Sequence, residues 1–94
     1  WPLYLEFLKS SALKSLYLTH SYVNDEGARA LAESDLPALT YLDLSFNNIG
    51  DAGARDLSQG NLTNLITLHL KSNNIGDTGK KALRERYPNA KIEF

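Results

Sequence analysis

Leu-Thr-Tyr-Leu-Asp-Leu-Ser-Phe-Asn-Asn-Ile (39–49) has leucine at its first, fourth and sixth positions, asparagine at the ninth and isoleucine at the eleventh. The alternation of Leu42 and Leu44 is strand periodicity, every second side chain turning to one face. Sliding the sequence by 26 residues brings two more copies into register. Leu13, Leu16 and Leu18 align with Leu39, Leu42 and Leu44, and with Leu65, Leu68 and Leu70. Further columns follow: Val23, Ile49, Ile75; Asp25, Asp51, Asp77; Gly27, Gly53, Gly79; Leu31, Leu57, Leu83. Self-similarity at a fixed period of this length is the mark of a solenoid built from stacked units.

Each column has a physical reading. Asn47 and Asn73 follow the strands and suit bonds to backbone groups in the turns of neighbouring coils. Ser21, in the same column, has less capacity for this. Asn24, Gly50 and Gly76 are residue types that accept positive φ, which predicts a tight turn there. The aspartates that follow suit helix N-caps. Residues 27–32, 53–58 and 79–84 read as short helices, with a leucine at the spacing of one buried face. A glycine early in each is unfavourable by propensity and predicts close packing of the helix start on its neighbour. One strand, one turn and one helix cannot bury a leucine face alone, but three stacked units share a core. The expected fold is therefore α/β: a parallel sheet on the concave side and short helices on the convex side.

The organisation expected is one repeat domain over 1–94: an N-terminal half-repeat or cap at 1–12, repeats at 13–38, 39–64 and 65–90, and a terminal strand at 91–94. Leu5 falls in the helix-leucine column, which predicts a helix over Tyr4–Lys9. Trp1, Leu3, Tyr4 and Phe7 crowd the start as a capping cluster or as residues that packed against an upstream coil, and weak self-association at this N-terminal end is a further expectation. At the other end Ile92-Glu93-Phe94 resembles the strand motif with one residue deleted before it. Lys80, Lys81, Arg84, Glu85 and Arg86 give the last helix the polar outer face a terminal unit needs.

Residues 39–49 fit the pattern L-x-x-L-x-L-x-x-N-x-L, and Ile-Gly-Asp-x-Gly follows at 49–53 and again at 75–79. With Gly-Ala-Arg-Ala-Leu-Ala (27–32), the chain resembles the ribonuclease-inhibitor-like class of leucine-rich repeats. Bacterial GALA-type proteins, the inhibitor itself and Ran GTPase-activating proteins use similar units. The resemblance covers residues 13–83, with Ser21 in place of the asparagine and fewer repeats than the class usually builds. It implies a short arc that binds proteins on its concave strand face. The role expected is an interaction module, such as a bacterial effector or the substrate-recognising part of a larger protein. A self-assembling coil or a GTPase-activating-type regulator fragment is the alternative. A bacterial or host cytoplasm is the setting that goes with the first role.

Side chains between the leucines face away from the core and become the candidate binding surface. They form four columns: Ser15, Tyr41, Thr67; Tyr17, Asp43, His69; Thr19, Ser45, Lys71; and His20, Phe46, Ser72. Adjacent strands lie about 4.8 Å apart, so column neighbours touch. Tyr17, Tyr41 and Phe46 suit an interface, tyrosine bringing area plus a polar handle; packing across strands is the other use of the tyrosines. Phe46 is the first choice for a contact, because its sister positions hold His20 and Ser72. His69 lies between Asp43 and, in the terminal strand, Glu93. A charge-assisted hydrogen bond explains that grouping better than acid–base or metal chemistry, since no nucleophile accompanies it.

Ten basic and eleven acidic residues leave a net charge of −1, with no basic footprint for nucleic acid or an anionic membrane. The balance is uneven: residues 1–47 hold six acidic and three basic side chains, residues 48–94 five and seven. There is no cysteine for a disulfide, thiolate or thiolate-metal site. The glycines recur with the repeat and form no phosphate loop. Asn61-Leu62-Thr63 has glycosylation spacing, but Leu62 shares the core column of Leu36. No apolar run is long enough to span a bilayer. The start at Trp1 and the lack of methionine predict a processed product or an excised piece. A protein partner, no cofactor, no metal and no enzymatic activity are the expectations.

Overall fold

The computed structural model describes residues 12–34 and 36–94. The expected helix over Tyr4–Lys9 and the cluster of Trp1, Leu3, Tyr4 and Phe7 lie outside them. Strands and helices alternate: β1 (Ser15–Tyr17), α1 (Asn24–Ala32), β2 (Tyr41–Asp43), α2 (Asp51–Ser58), β3 (Thr67–His69), α3 (Asp77–Arg86) and β4 (Lys91–Glu93). The strands form one parallel sheet in chain order, β1-β2-β3-β4. α1 packs on α2 and α2 on α3. This is the leucine-rich-repeat solenoid that the leucine columns require: α/β, with a layer of strands and a layer of helices.

Register follows the repeat. Leu16 pairs with Leu42, Leu42 with Leu68 and Leu68 with Ile92. Leu42, Leu44, Ile49 and Leu57 are wholly or almost wholly buried, as are Leu31 and Leu83 in the neighbouring helices. Every second strand residue therefore points into the space between sheet and helices, and the hydrophobic effect fixes which face is inside. Ile92 stands 24 residues after Leu68 (92 less 68), so the last coil is shorter by two residues, not one. The chain between Leu83 and Ile92 closes more tightly here. Tyr87 fills that space, nearly buried, and its hydroxyl donates to the Leu57 carbonyl at 2.6 Å.

Two expectations about the turns are corrected. Gly50 and Gly76 are extended at negative φ (−106° and −89°); of their column only Asn24 takes a positive φ, 51°. The left-handed positions lie earlier instead, at His20, Phe46 and Ser72, and at Tyr22 and Asn48. The aspartates, moreover, do not cap their own helices. Asp25 Oδ1 accepts the N–H groups of Gly50 (2.7 Å) and Gly53 (3.0 Å), at the start of α2. Asp51 Oδ1 does the same for Gly76 and Gly79, at the start of α3. Each carboxylate thus satisfies the open amides of the next coil's helix, where the macrodipole also favours negative charge.

This explains the helix glycines. A Cβ on Gly53 would lie 2.5 Å from Asp25 Oδ1 and 2.8 Å from the Ile49 side chain. Only a residue without a side chain lets the carboxylate reach both amides.

Candidate functional site: the concave strand face

The strands bring the predicted columns together in register: Ser15, Tyr41, Thr67 and Lys91; then Tyr17, Asp43, His69 and Glu93. All of these side chains point opposite to the buried leucines. Tyr17 is 65% exposed and Phe46 51%. Ser15, Thr19, His20, Lys71 and Ser72 are exposed, while Tyr41, Asp43, Thr67 and His69 are half-buried by their neighbours. Ser45 departs from the expectation. It is buried, its N–H donating to Asp43 Oδ1 and its carbonyl accepting from Asn47 Nδ2, so it displays almost no surface.

Aromatic rings organise the face. Tyr17 and Tyr41 lie 4.9 Å apart with planes inclined at 39°, and Tyr41 meets the His69 ring edge-on at 5.3 Å. These are favourable arrangements for aromatic quadrupoles. His20 and Phe46 stack at 4.4 Å. Both tyrosines thus take part in cross-strand packing and still present surface. Burial first, then Tyr17, Asp43 and Glu93, pushes the Tyr41 phenol above its ordinary value, so it stays protonated and able to donate a hydrogen bond.

His69 does not sit evenly between two carboxylates. Its Nδ1 is paired with Glu93 Oε1. Lys91 Nζ stands 4.0 Å from the other oxygen of the same carboxylate. Among the described residues no group of three His, Cys, Asp or Glu side chains is placed to hold a metal ion. No helix among them is long and apolar enough to cross a membrane.

The turns behind the face are held by an asparagine ladder. Asn47, almost fully buried, accepts from the N–H groups of Ser21 and Val23 and donates to the carbonyls of Leu18 and Ser45. Asn73 Oδ1 accepts from Asn47 and Ile49 in the same way, and its Nδ2 donates to Leu44 O. Ser21 reaches only the Thr19 carbonyl with its hydroxyl. The ladder fixes the left-handed backbone at His20, Phe46 and Ser72, which throws those side chains outward at the edge of the sheet.

A shallow pocket of about 270 Å³ opens at that edge, lined by His20, Tyr22, Asn24, Phe46, Asn47 and Asn48. Tyr22, 89% exposed, is a surface residue the strand columns missed, as is Ile66, 62% exposed. A signal for both was present. Tyr22 shares a column with Asn48 and Asn74, and Ile66 with Lys14 and Thr40, so each is an apolar residue where the repeat elsewhere puts a polar one.

Comparison with known proteins agrees with this geometry. A family described as leucine rich repeats (2 copies) matches residues 37–84, and a leucine rich repeat family matches residues 9–32. The chain belongs to the leucine-rich-repeat proteins. Such repeats are generally protein-interaction modules, typically without enzymatic activity. No curated protein matches the chain.

Proposed function

We propose that this protein binds a protein partner through the concave strand face, within the ribonuclease-inhibitor-like class of repeats. The observation that carries the reading is the contrast between columns. Leucine recurs wherever a residue of β1, β2 or β3 faces the core, whereas the outward positions change from coil to coil and include Tyr17, Tyr41 and Phe46. Phe46 supports it most. A left-handed backbone costs a bulky residue roughly 1–2 kcal/mol relative to the ordinary helical region. Ser72 fills the equivalent position, so the fold does not require the ring. Surface aromatics of this kind supply most of the binding energy in many interfaces. A bacterial effector or the recognition part of a larger protein is the role that fits a small non-enzymatic unit.

Replacing Tyr41, Asp43 and Phe46 together by alanine should abolish partner capture from a host lysate. The circular dichroism melt should shift by no more than the loss of the Ser45 N–H bond to Asp43, about 1 kcal/mol, since none of the three is in the core. Undiminished capture by the folded triple variant would refute the surface.

A second reading, head-to-tail association, is favoured by Asp77. Its counterparts Asp25 and Asp51 each cap the following coil, while among the described residues Asp77 meets no such amides. Light scattering over a concentration series decides it: growth in mass supports stacking, and a constant monomer mass excludes it.

A further inference from the structure

Charge on the concave face is divided by strand. β3 and β4 with their flanks present Lys71, His69, Lys91 and Glu93, and the basic groups of His69 and Lys91 converge on the Glu93 carboxylate. β1 and β2 present Asp43 in the outward columns and neither lysine nor arginine. Because His69 turns to Glu93, Asp43 is the carboxylate left over. It uses Oδ1 to accept the Ser45 N–H at 3.0 Å and makes no ion pair among the described residues.

Aromatic surface borders that carboxylate. Tyr17 lies directly opposite Asp43 in the β1–β2 register, and Tyr41 stands two residues before it on the same face of β2. Their rings stand 4.9 Å apart and inclined at 39°, with His69 edge-on to Tyr41. A carboxylate beside two electron-rich ring faces attracts a cation twice over, by direct charge and through the ring quadrupoles. A guanidinium fits the arrangement better than an ammonium. It is flat enough to stack on a tyrosine while its edge donates forked hydrogen bonds to a carboxylate, whereas an ammonium is a compact, strongly hydrated point charge.

Building on the concave-face reading, we infer that Tyr17, Tyr41 and Asp43 form a socket for an arginine side chain of the protein partner. The partner then presents an arginine on a convex or extended segment that enters between β1 and β2. Its specificity lies in the Asp43 fork, and its contact area in the two rings.

The test uses the full chain, labelled with nitrogen-15, and titrates it with N-acetylarginine amide and with the peptide Gly-Arg-Gly. The same peptide carrying citrulline, lysine or glutamate serves for comparison. Saturable shifts of the Tyr17, Tyr41 and Asp43 amides are expected, with citrulline binding weaker by about five-fold or more. The Asp43→Asn variant keeps an oxygen for the Ser45 N–H, so it stays folded, and it should lose the preference for arginine over citrulline. Tyr17→Ala should weaken the arginine peptide without changing the melt. Equal binding of arginine and citrulline, tighter binding of lysine, an unchanged Asp43→Asn variant, or no saturable shift would each overturn the socket. If the triple alanine variant loses partner capture while arginine probes do not bind, the concave-face reading stands and this inference alone fails.

Discussion

A carboxamide lying between two turns has to serve amides that no strand pairing reaches, and Asn47 serves two in the coil before it. The same side chain donates to Leu18 O at 2.6 Å and to Ser45 O at 3.0 Å. Alanine at this position would leave buried donors and the Leu18 carbonyl unpaired. A loss of about 3 kcal/mol follows from the desolvation of those groups. A lower urea midpoint at unchanged slope is the expected reading; a midpoint within experimental scatter of wild type would contradict the ladder's importance. Tyr87 is a second residue with a definite consequence. Burial pushes its phenol above the ordinary value of 10.0, partly offset by Arg86. The unfolded chain therefore ionises this tyrosine first, so its stabilising contribution is complete below about pH 10 and is lost as the pH rises through the higher folded value. Tyr87→Phe should cost about 1 kcal/mol at neutral pH, from the lost bond to Leu57, and should flatten the stability decline above pH 10. Denaturation series at neutral and alkaline pH measure both.

At the scale of elements, the helices start on amides that a neighbour satisfies. Asp25 caps α2 and Asp51 caps α3, so each helix start is completed across a coil boundary. Asp25→Ala should lose about 1.5–3 kcal/mol, the range for hydrogen bonds to a charged group. Asp77→Ala should change stability by less than about 0.5 kcal/mol, as ordinary surface substitutions do. The pair of thermal melts is the check, and equal effects at both positions would sink the cross-coil account. The sequence showed that an aspartate belongs in this column but not which helix it serves. Asp and Gly two positions apart in the register of successive coils look, along the chain, like an ordinary N-cap. The turn glycines misled similarly: Gly50 and Gly76 lie beside the preceding coil's aspartate, and their backbone is extended.

Across the whole molecule, stability passes from coil to coil through shared side chains, as in any quasi-one-dimensional stack. Leu42 lies between Leu16 and Leu68 and is fully buried. Leu42→Ala should cost about 2–5 kcal/mol, since a cavity there borders both neighbouring coils. Unfolding followed by circular dichroism and by tyrosine fluorescence should shift together; a change confined to one probe would show that the coils are energetically separate. The end of the stack differs from its middle. Tyr87, the shortened approach to β4, and Phe94 beneath Lys80 and Arg84 (5.5 and 5.0 Å) close the last coil. Arg86 adds two bonds to the Gly60 carbonyl. The cationic groups expected to form a polar outer face are therefore partly engaged in that closure.

The amino-acid sequence by itself determined the solenoid, its leucine core, the strand register through β3 and which strand positions face outward. These follow from local periodicity and from burial of one face, both of which repeat along the chain. Tertiary structure alone decided the partners across coils. It set Asp25 on α2, His69 on Glu93 and away from Asp43, and Ser45 inside. Each depends on a few ångströms between segments far apart in the chain, a distance that no spacing along a single coil encodes.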